Sequence, residues 1–483
     1  MALPTLRTIG FIIGIFLITL AISMAIPMLT LLYYQHPEDL NAFLWSSLAS
    51  LGAGLSLVIP GKPENAQLRP RDMYLLTTSS WLVVCLFASM PMMLLHHMSY
   101  TDAFFETMSG ITTTGSTVIT NLDHASPAIL IWRSMLQWLG GIGFIAMAVA
   151  ILPLLRIGGM RLFQTESSDW GEKVMPRSHM VAKYILLIYL TFTVIGTLAY
   201  WLTGLRWFDA INLAMTSVST GGFATSDLSM GKYGASTHWV AMVLMILGSL
   251  PFTLYVATLR GNRSALLRDE QVRGFMLVLA VTCFLFSLWY WFTNESDYFE
   301  ALRIVSFNVV SIVSTTGFAL GDYSTWGGFA VMVFFYLTFI GGCSGSTSGG
   351  LKIFRFQVAL TLLRASLKQM VHPRAVIKQQ YNGHNLDEEI VRSILTFSFF
   401  ITITIGFIAL LLAMLGLDPI TALTGAATAV CGVGPGLGNI IGPAGSFASL
   451  PDAAKWILSF GMLLGRLEII TVLVLLTASF WRH

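Results

Sequence analysis

Long apolar stretches follow one another along this chain with little polar sequence between them. They cover residues 10–33, 41–60, 73–95, 128–155, 180–203, 237–258, 273–293, 326–340, 394–416 and 454–480. A bilayer core of about 30 Å takes roughly 20 helical residues, so the pattern predicts about ten transmembrane helices. The first run spans about 24 residues, too long for a signal-peptide core, and is expected to remain as a helix. The run at 326–340 is short and meets a Gly-rich stretch. Its helix is expected to break there and to resume near Leu351.

Between the later runs lies a shorter motif, repeated four times. It reads DAFFETMSGITTTG from Asp102 to Gly115, DAINLAMTSVSTGG from Asp209 to Gly222, EALRIVSFNVVSIVSTTG from Glu300 to Gly317, and DPITALTGAATAVCGVG from Asp418 to Gly434. The third copy is four residues longer than the first two, and the last two continue alike, as GFALGD and GPGLGN. Each copy predicts an amphipathic helix of about three turns, half of what a membrane span requires. Asp102, Asp209 and Asp418 suit the N-cap, and Pro419 suits the first helical position. These half-helices would start at the outer surface and point their negative C-terminal ends inward.

Thr and Gly after a half-helix place irregular backbone at membrane depth, which is tolerated where it is buried or lines a watery cavity. Potassium channels strip an ion of water with rings of backbone carbonyls, and Gly supplies the backbone freedom such rings need. On this reading four loops form the rings: Thr113, Thr114 and Gly115; Thr220, Gly221 and Gly222; Thr315, Thr316 and Gly317; Gly432, Val433 and Gly434. The competing reading, small residues marking close helix packing, explains one such phrase but not four at comparable distance from a capped half-helix.

Composition sharpens the class. Hydrophobic residues make up 55% of the 483 and charged residues 11%, against about 25% charged in soluble domains. Of 27 Lys and Arg, 21 fall on the side that carries Arg7, only Arg206, Lys232, Arg303 and Lys455 fall on the other, and Arg133 and Arg466 lie inside apolar runs. The excess marks the cytoplasmic face, so both termini are expected there. The net charge of +3 reflects this bias, and no nucleic-acid partner is implied. The four cysteines lack paired spacing, which suggests neither a disulfide framework nor a zinc site. No enzyme constellation appears. The expected organisation is an all-α membrane protein: two leading helices (1–68), then pore-loop repeats at 69–156, 157–262, 263–370 and 371–483, pseudo-symmetric about one central pore.

Two intramembrane features remain. The stretch GGCSGSTSGG comprises Gly341, Gly342, Cys343, Ser344, Gly345, Ser346, Thr347, Ser348, Gly349 and Gly350. It lacks the GK[ST] signature of a phosphate loop and cannot hold a straight helix, so it is expected to form a loop beneath the rings that obstructs the pore as a gate; the alternative is a packing kink. Arg466 is a functional candidate by default, the alternative being a salt bridge with Glu468, although side chains two apart on a helix diverge. Arg133 is read as snorkelling to the outer interface, and His96, His97 and His124 as solvated.

These phrases, ITTTGST, STGGFAT, STTGFALG, GGCSGSTSGGLKIFR and GPGLGN, resemble the Trk/Ktr/HKT superfamily of potassium transporters, most closely its bacterial TrkH/TrkG-type membrane subunits, over almost the whole chain. The resemblance implies one selectivity glycine per repeat, here Gly115, Gly222, Gly317 and Gly434. Gly at the first of these, where some sodium-preferring relatives carry Ser, implies potassium. It also implies that the Gly-rich loop obstructs the pathway with Arg466 beside it. The expected partners are a second copy in a homodimer, membrane lipid and a cytosolic, nucleotide-binding RCK-type (TrkA-like) subunit, docked on a basic face such as Lys352 to Arg392. Ser344, Ser348 and the Cys431–Gly432 pair depart from the family pattern. The function implied is K+ uptake across a bacterial inner membrane, with K+ as transported ion and no organic cofactor in the chain; the alternative is K+/H+ or K+/Na+ symport.

Overall fold

The computed structural model describes residues 3–61, 69–96, 98–150, 174–294, 297–375 and 377–482. The expectations attached to Lys62, His97, Arg156, Arg161 and Lys173, and the repeat boundary at 156, lie outside them. Two leading spans are formed by α1 (Leu3–Ser23) with α2 (Ala25–Tyr33), and by α3 (Leu40–Val58). They meet at Gly14 and Gly54, where a Cβ on either would approach the other's carbonyl oxygen within 3.0 Å. Such contact is how apolar helices gain dispersion energy in lipid.

Four units follow. In the first, α4 (Pro70–Ala88) and α5 (Met90–His96) precede the half-helix α6 (Tyr100–Ile111) and the span α7 (Pro127–Ala150). The second is α8 (Val174–Leu202), half-helix α9 (Trp207–Val218), and the pair α10 (Ala235–Ser249) and α11 (Phe252–Leu259), bent by 88°. The third is α12 (Glu270–Asn294), half-helix α13 (Tyr298–Val313), α14 (Gly328–Thr338) and α15 (Ile353–Val371). In the fourth, α16 (Glu388–Met414) leads to half-helix α17 (Pro419–Cys431), then to α18 (Asp452–Arg466) and α19 (Ile470–Leu473), where the chain turns by 108°.

Seven helical segments among the described residues are long and apolar enough to cross a bilayer, nine if each bent pair counts as one span. The expected tenth, at 326–340, is α14, only 11 residues long. It stops where the glycines begin. The two-residue strand β1 (Ile340–Gly341) then pairs in parallel with β2 (Leu351–Lys352), and α15 resumes at Ile353.

The half-helices have 12, 12, 16 and 13 residues, the third longer as its sequence implied. Their caps depart from expectation. Asp418 is an N-cap and accepts a hydrogen bond from Thr421 N, but Asp102 and Asp209 sit one turn inside, after Ser99 and Arg206, and the third helix is capped by Asp297. A carboxylate anywhere in the first turn faces the unpaired N–H groups and the positive end of the dipole, so sequence alone did not separate the two positions.

One contact recurs. Gly140 on α7, Gly248 on α10 and Gly465 on α18 each press on the carbonyl of a half-helix's last turn, at Ile111, Val218 and Val430, and a Cβ on any of them would come within 3.0 Å of that oxygen. The flanking helices thereby seat the half-helices at fixed depth. Between α15 and α16 an Asn382–Gly383 turn closes a hairpin of β3 (Gln380–Tyr381) and β4 (His384–Asn385), both turn residues at positive φ. Asn382 bonds Asp269 and the N–H of Glu270 at 2.8 Å each, and so ties the hairpin to the start of α12.

Gly465→Val is expected to overpack the α17–α18 contact and cost about 1–3 kcal/mol, read as a lower thermal-unfolding midpoint in detergent. Gly406→Ala, on α16 with open space around it, should leave the midpoint unchanged or raise it slightly.

Candidate ion pathway

The end of each half-helix is built the same way. Thr113, Thr220 and Thr315 have φ of 54°, 50° and 57°, and Gly432 fills the same place at 67°. β-Branched residues rarely take this conformation, and three at equivalent positions mark strain held by its surroundings. What holds it is a wide closing bond, in which the N–H of Thr114, Gly221, Thr316 and Val433 each donates to the carbonyl five residues earlier, at 2.9, 2.8, 2.8 and 3.1 Å.

Next in each loop comes a glycine, Gly115, Gly222, Gly317 or Gly434, with φ of 91°, 80°, 81° and 106°. The Cα of Gly115 faces the carbonyl of Gly221, that of Gly222 the carbonyl of Thr316, that of Gly317 the carbonyl of Val433, and that of Gly434 the carbonyl of Thr114; an added Cβ would come within 3.0 Å of each. The contacts run from loop 1 to 2 to 3 to 4 and back to 1. All twelve residues predicted to line the rings are therefore brought together, and four half-helix C-termini converge beneath their glycines. Above the ring opens a vestibule of about 200 Å³, lined by the four glycines and by Ser116, Arg133 and Asp227 among others.

The Gly-rich loop lies across the other side of the ring. Thr347 Oγ1 accepts from Thr220 Oγ1 at 3.1 Å and donates to Gly248 O at 2.9 Å. Gly349 N donates to Thr315 Oγ1 at 2.6 Å, and Ser348 Oγ pairs with the same hydroxyl at 3.1 Å. Cys343 N and Ser344 N are held by Ser249 O at 2.9 Å and Gln271 Oε1 at 2.6 Å, and Gly345 O accepts from Phe252 N at 3.0 Å. Gly341 is paired with Lys352 and Gly342 follows it, Gly342 N donating to Ser348 Oγ, while Ser346 Oγ bonds Cys343 O and Gly350 turns the chain back at φ 68°.

Arg466 stands beside the loop. Its Nη1 donates to Thr347 O at 2.9 Å and its guanidinium rests 4.0 Å from the ring centre of Phe144. The anticipated alternative, a pair with Glu468, is not formed: Glu468 binds Arg355 at 2.8 Å. Two further expectations are corrected. Arg133 does not reach the interface but is 1% exposed, paired at 2.7 Å with Glu106. Lys352 and Arg355, counted with the cytoplasmic surface, are 1% and 2% exposed, and Lys352 Nζ donates to Ser348 O.

Sequence reasoning missed the groups behind the loops. Gln137 Nε2 donates to Gly221 O at 2.6 Å while its Oε1 accepts from Phe223 N at 3.0 Å. Asn308 grips the backbone of Leu320 from both sides, at 2.9 and 3.0 Å. Their signal was present: polar residues on otherwise apolar helices, with Arg133 and Gln137 one turn apart on α7.

Beside the vestibule Asp123 accepts from Lys232 at 2.6 Å, from Ser226 at 2.9 Å and from Asp227 N. Chiefly the Lys232 hydrogen bond, and after it Ser226 and Asp227 N, hold its carboxyl below the usual range.

A ring of backbone closed by four loops of one chain and covered by a fifth thus lies among helices long and apolar enough to cross a membrane, the architecture of a multi-pass membrane protein. The chain matches the family model described as TrkH, cation transport protein, over residues 41–482. It is 50% identical over 475 residues to the Trk system potassium uptake protein TrkI of Halomonas elongata, covering 98% of this chain and 96% of the relative. It is 35% identical to the Trk system potassium uptake protein TrkH of Escherichia coli, covering 99% of each. The crystal structure of the potassium transporter TrkH from Vibrio parahaemolyticus superposes with a TM-score of 0.91 at 33% identity, covering 99% of this chain and all of that one. The chain belongs to the TrkH family of cation transport proteins.

Because the carboxyl of Asp123 is held low in the folded state, its contribution to stability is full above the ordinary carboxylate range and is lost as pH falls through the lowered value. Asp123→Asn is expected to lower the thermal midpoint at neutral pH. The gap from the parent protein should close only well into the acid range.

Proposed function

We propose that this protein takes up K+ across a bacterial cytoplasmic membrane by passive conduction through the four-loop ring. The observation that carries the reading is the cyclic contact of Gly115, Gly222, Gly317 and Gly434 with the carbonyls of the next loop. Such a ring offers a partly dehydrated cation backbone oxygens in place of water, and the C-terminal dipole ends beneath it favour positive charge. Gly at all four positions favours K+, the ion named for the relatives. K+ is then the cargo, and the twelve ring residues its filter. The organisation into two leading helices (1–68) and four pore-loop repeats belongs to the same reading, with both termini cytoplasmic.

Residues Gly341 to Gly350 act as the gate. In the closed arrangement the loop's hydroxyls and carbonyls are bonded to Thr220, Thr315 and Arg466, and the guanidinium adds a charge that repels cations. The regulatory partner is a cytosolic nucleotide-binding subunit, a reading favoured by the "Trk system" in the relatives' names, and it acts on a homodimer. Its docking face is the cytoplasmic surface of α15 and the hairpin, where Arg364, Lys368, Arg374 and Lys378 lie. Symport is the second reading. The buried carboxylates Glu106 and Glu468 are occupied with Arg133 and Arg355, which favours structural duty over a proton relay.

The test is K+ and Na+ flux into liposomes holding the purified chain alone. Passive flux that prefers K+ is expected, and Gly222→Asp should abolish it, because a side chain at φ 80° facing the Thr316 carbonyl closes the ring. Arg466→Gln should raise it. Losing a hydrogen bond to a charged group shifts an equilibrium by about 1.5–3 kcal/mol, or roughly ten- to a hundredfold. Flux that requires a proton or sodium gradient would instead establish the symporter.

A further inference from the structure

The buried pair of Glu106 and Arg133 stands apart from the rest of the pathway. Glu106 lies seven residues before Thr113, and the same count back from Thr220, Thr315 and Gly432 gives Leu213, Asn308 and Gly425. Asn308 and Glu106 share one task, each accepting from the N–H five residues beyond the strained Thr, at Leu320 (3.0 Å) and Val118 (2.8 Å). Only the first loop does so with a charge. Glu106 is 0% exposed and accepts in addition from Thr117 Oγ1 at 3.0 Å and from Arg133 Nε at 2.7 Å.

Arg133 uses the rest of its fork elsewhere. Nη2 donates to Thr117 Oγ1 at 3.1 Å, within loop 1, whereas Nη1 donates to Ala224 O at 3.2 Å, in loop 2. Its guanidinium also covers the Phe223 ring at 4.0 Å, and Phe223 directly follows the ring glycine Gly222. One turn further along α7, Gln137 holds Gly221 O and Phe223 N. The first and second loops are thus joined behind the ring by a rigid, five-donor side chain, and the vestibule reaches that side chain from in front.

We infer that Arg133 and Glu106 form an ionic strut that sets the spacing of loops 1 and 2 and thereby the discrimination between K+ and Na+, Arg133 acting as a positioning residue and not as an ion ligand. The inference rests on the filter reading above. Two ions of equal charge are told apart by the size and stiffness of the oxygen ring, so a strut between two of its four quarters bears on the choice and not on whether an ion passes. Glu106 also cancels a positive charge that would otherwise face cations at the mouth.

The experiment compares K+ and Na+ flux in liposomes for the full chain, Arg133→Lys, and the double variant Glu106→Gln with Arg133→Met. The double variant removes both charges together. It therefore leaves the net charge at the mouth unaltered and avoids stranding one buried ion, the usual cause of collapse when such a pair is broken. Arg133→Lys keeps the charge but cannot reach Glu106, Thr117 and Ala224 at once. Both are expected to fold, judged by a single size-exclusion peak, and to pass K+, with the K+/Na+ flux ratio lowered roughly tenfold, about 1.4 kcal/mol. An unchanged ratio in a folded, conducting variant would overturn the inference. So would failure of both variants to fold, which would assign the pair to folding. Should the parent chain itself show no K+ preference, or Gly222→Asp leave flux intact, the filter reading fails, and that result is separate from any behaviour of the strut.

Discussion

The structure depends on a backbone-to-backbone contact that leaves no room for a side chain. Each ring glycine lies against the carbonyl of the neighbouring loop, and the four contacts close on themselves. Irregular backbone is costly inside a bilayer because its polar groups have no water to bond. Here the half-helices end in the same wide closing bond four times, and the carbonyl that follows in each loop meets the glycine of a neighbouring loop. The flanking helices contribute Gly140, Gly248 and Gly465, which let the half-helix ends come to the depth the ring needs. A methyl group at several of these places would separate the parts.

Polar side chains buried behind the ring complete its support, each loop in its own way. Loop 1 has a charged pair, loop 2 an amide from the preceding unit, loop 3 an asparagine of its own half-helix, and loop 4 a threonine, Thr424, whose hydroxyl accepts from Leu437 N at 3.0 Å. Chemical variety behind a common backbone is what four non-identical loops on one chain permit. On the other side of the ring, the buried cations Lys352, Arg355 and Arg466 lie near Glu468, and carbonyls of the covering loop at Thr347 and Ser348 accept hydrogen bonds from Arg466 and Lys352.

Much of this was legible in the sequence, for physical reasons. Hydropathy locates spans because lipid tolerates little else, and Thr/Gly phrases after half-length helices stand out because such residues are poor lipid-facing material. The break at Gly341 was read from a short apolar run that meets glycines, and the longer third half-helix from the length of its motif. The fate of charged residues was not. Arg133 near a helix start looks like a snorkelling arginine, and only the fold brings Glu106 from another helix to meet it. Lys352 and Arg355 follow the Gly-rich loop by a few residues, and a charge count assigns them to the cytoplasm, although the chain has not yet left the protein interior. The Asn382–Gly383 hairpin carried a strong local signal inside a segment that the charge pattern marked only as a loop.

The inner rim of the ring is uneven. Thr220 and Thr315 bond the covering loop, the Thr113 hydroxyl has no hydrogen-bond partner among the described residues, and the fourth corner is Gly432, which has no hydroxyl at all. Of the four corners, only the second and third hold the covering loop through a hydroxyl of their own. A ring assembled from four identical chains would present the same rim at every corner and offer no preferred edge. Four unequal loops on one polypeptide give this ring a front and a back.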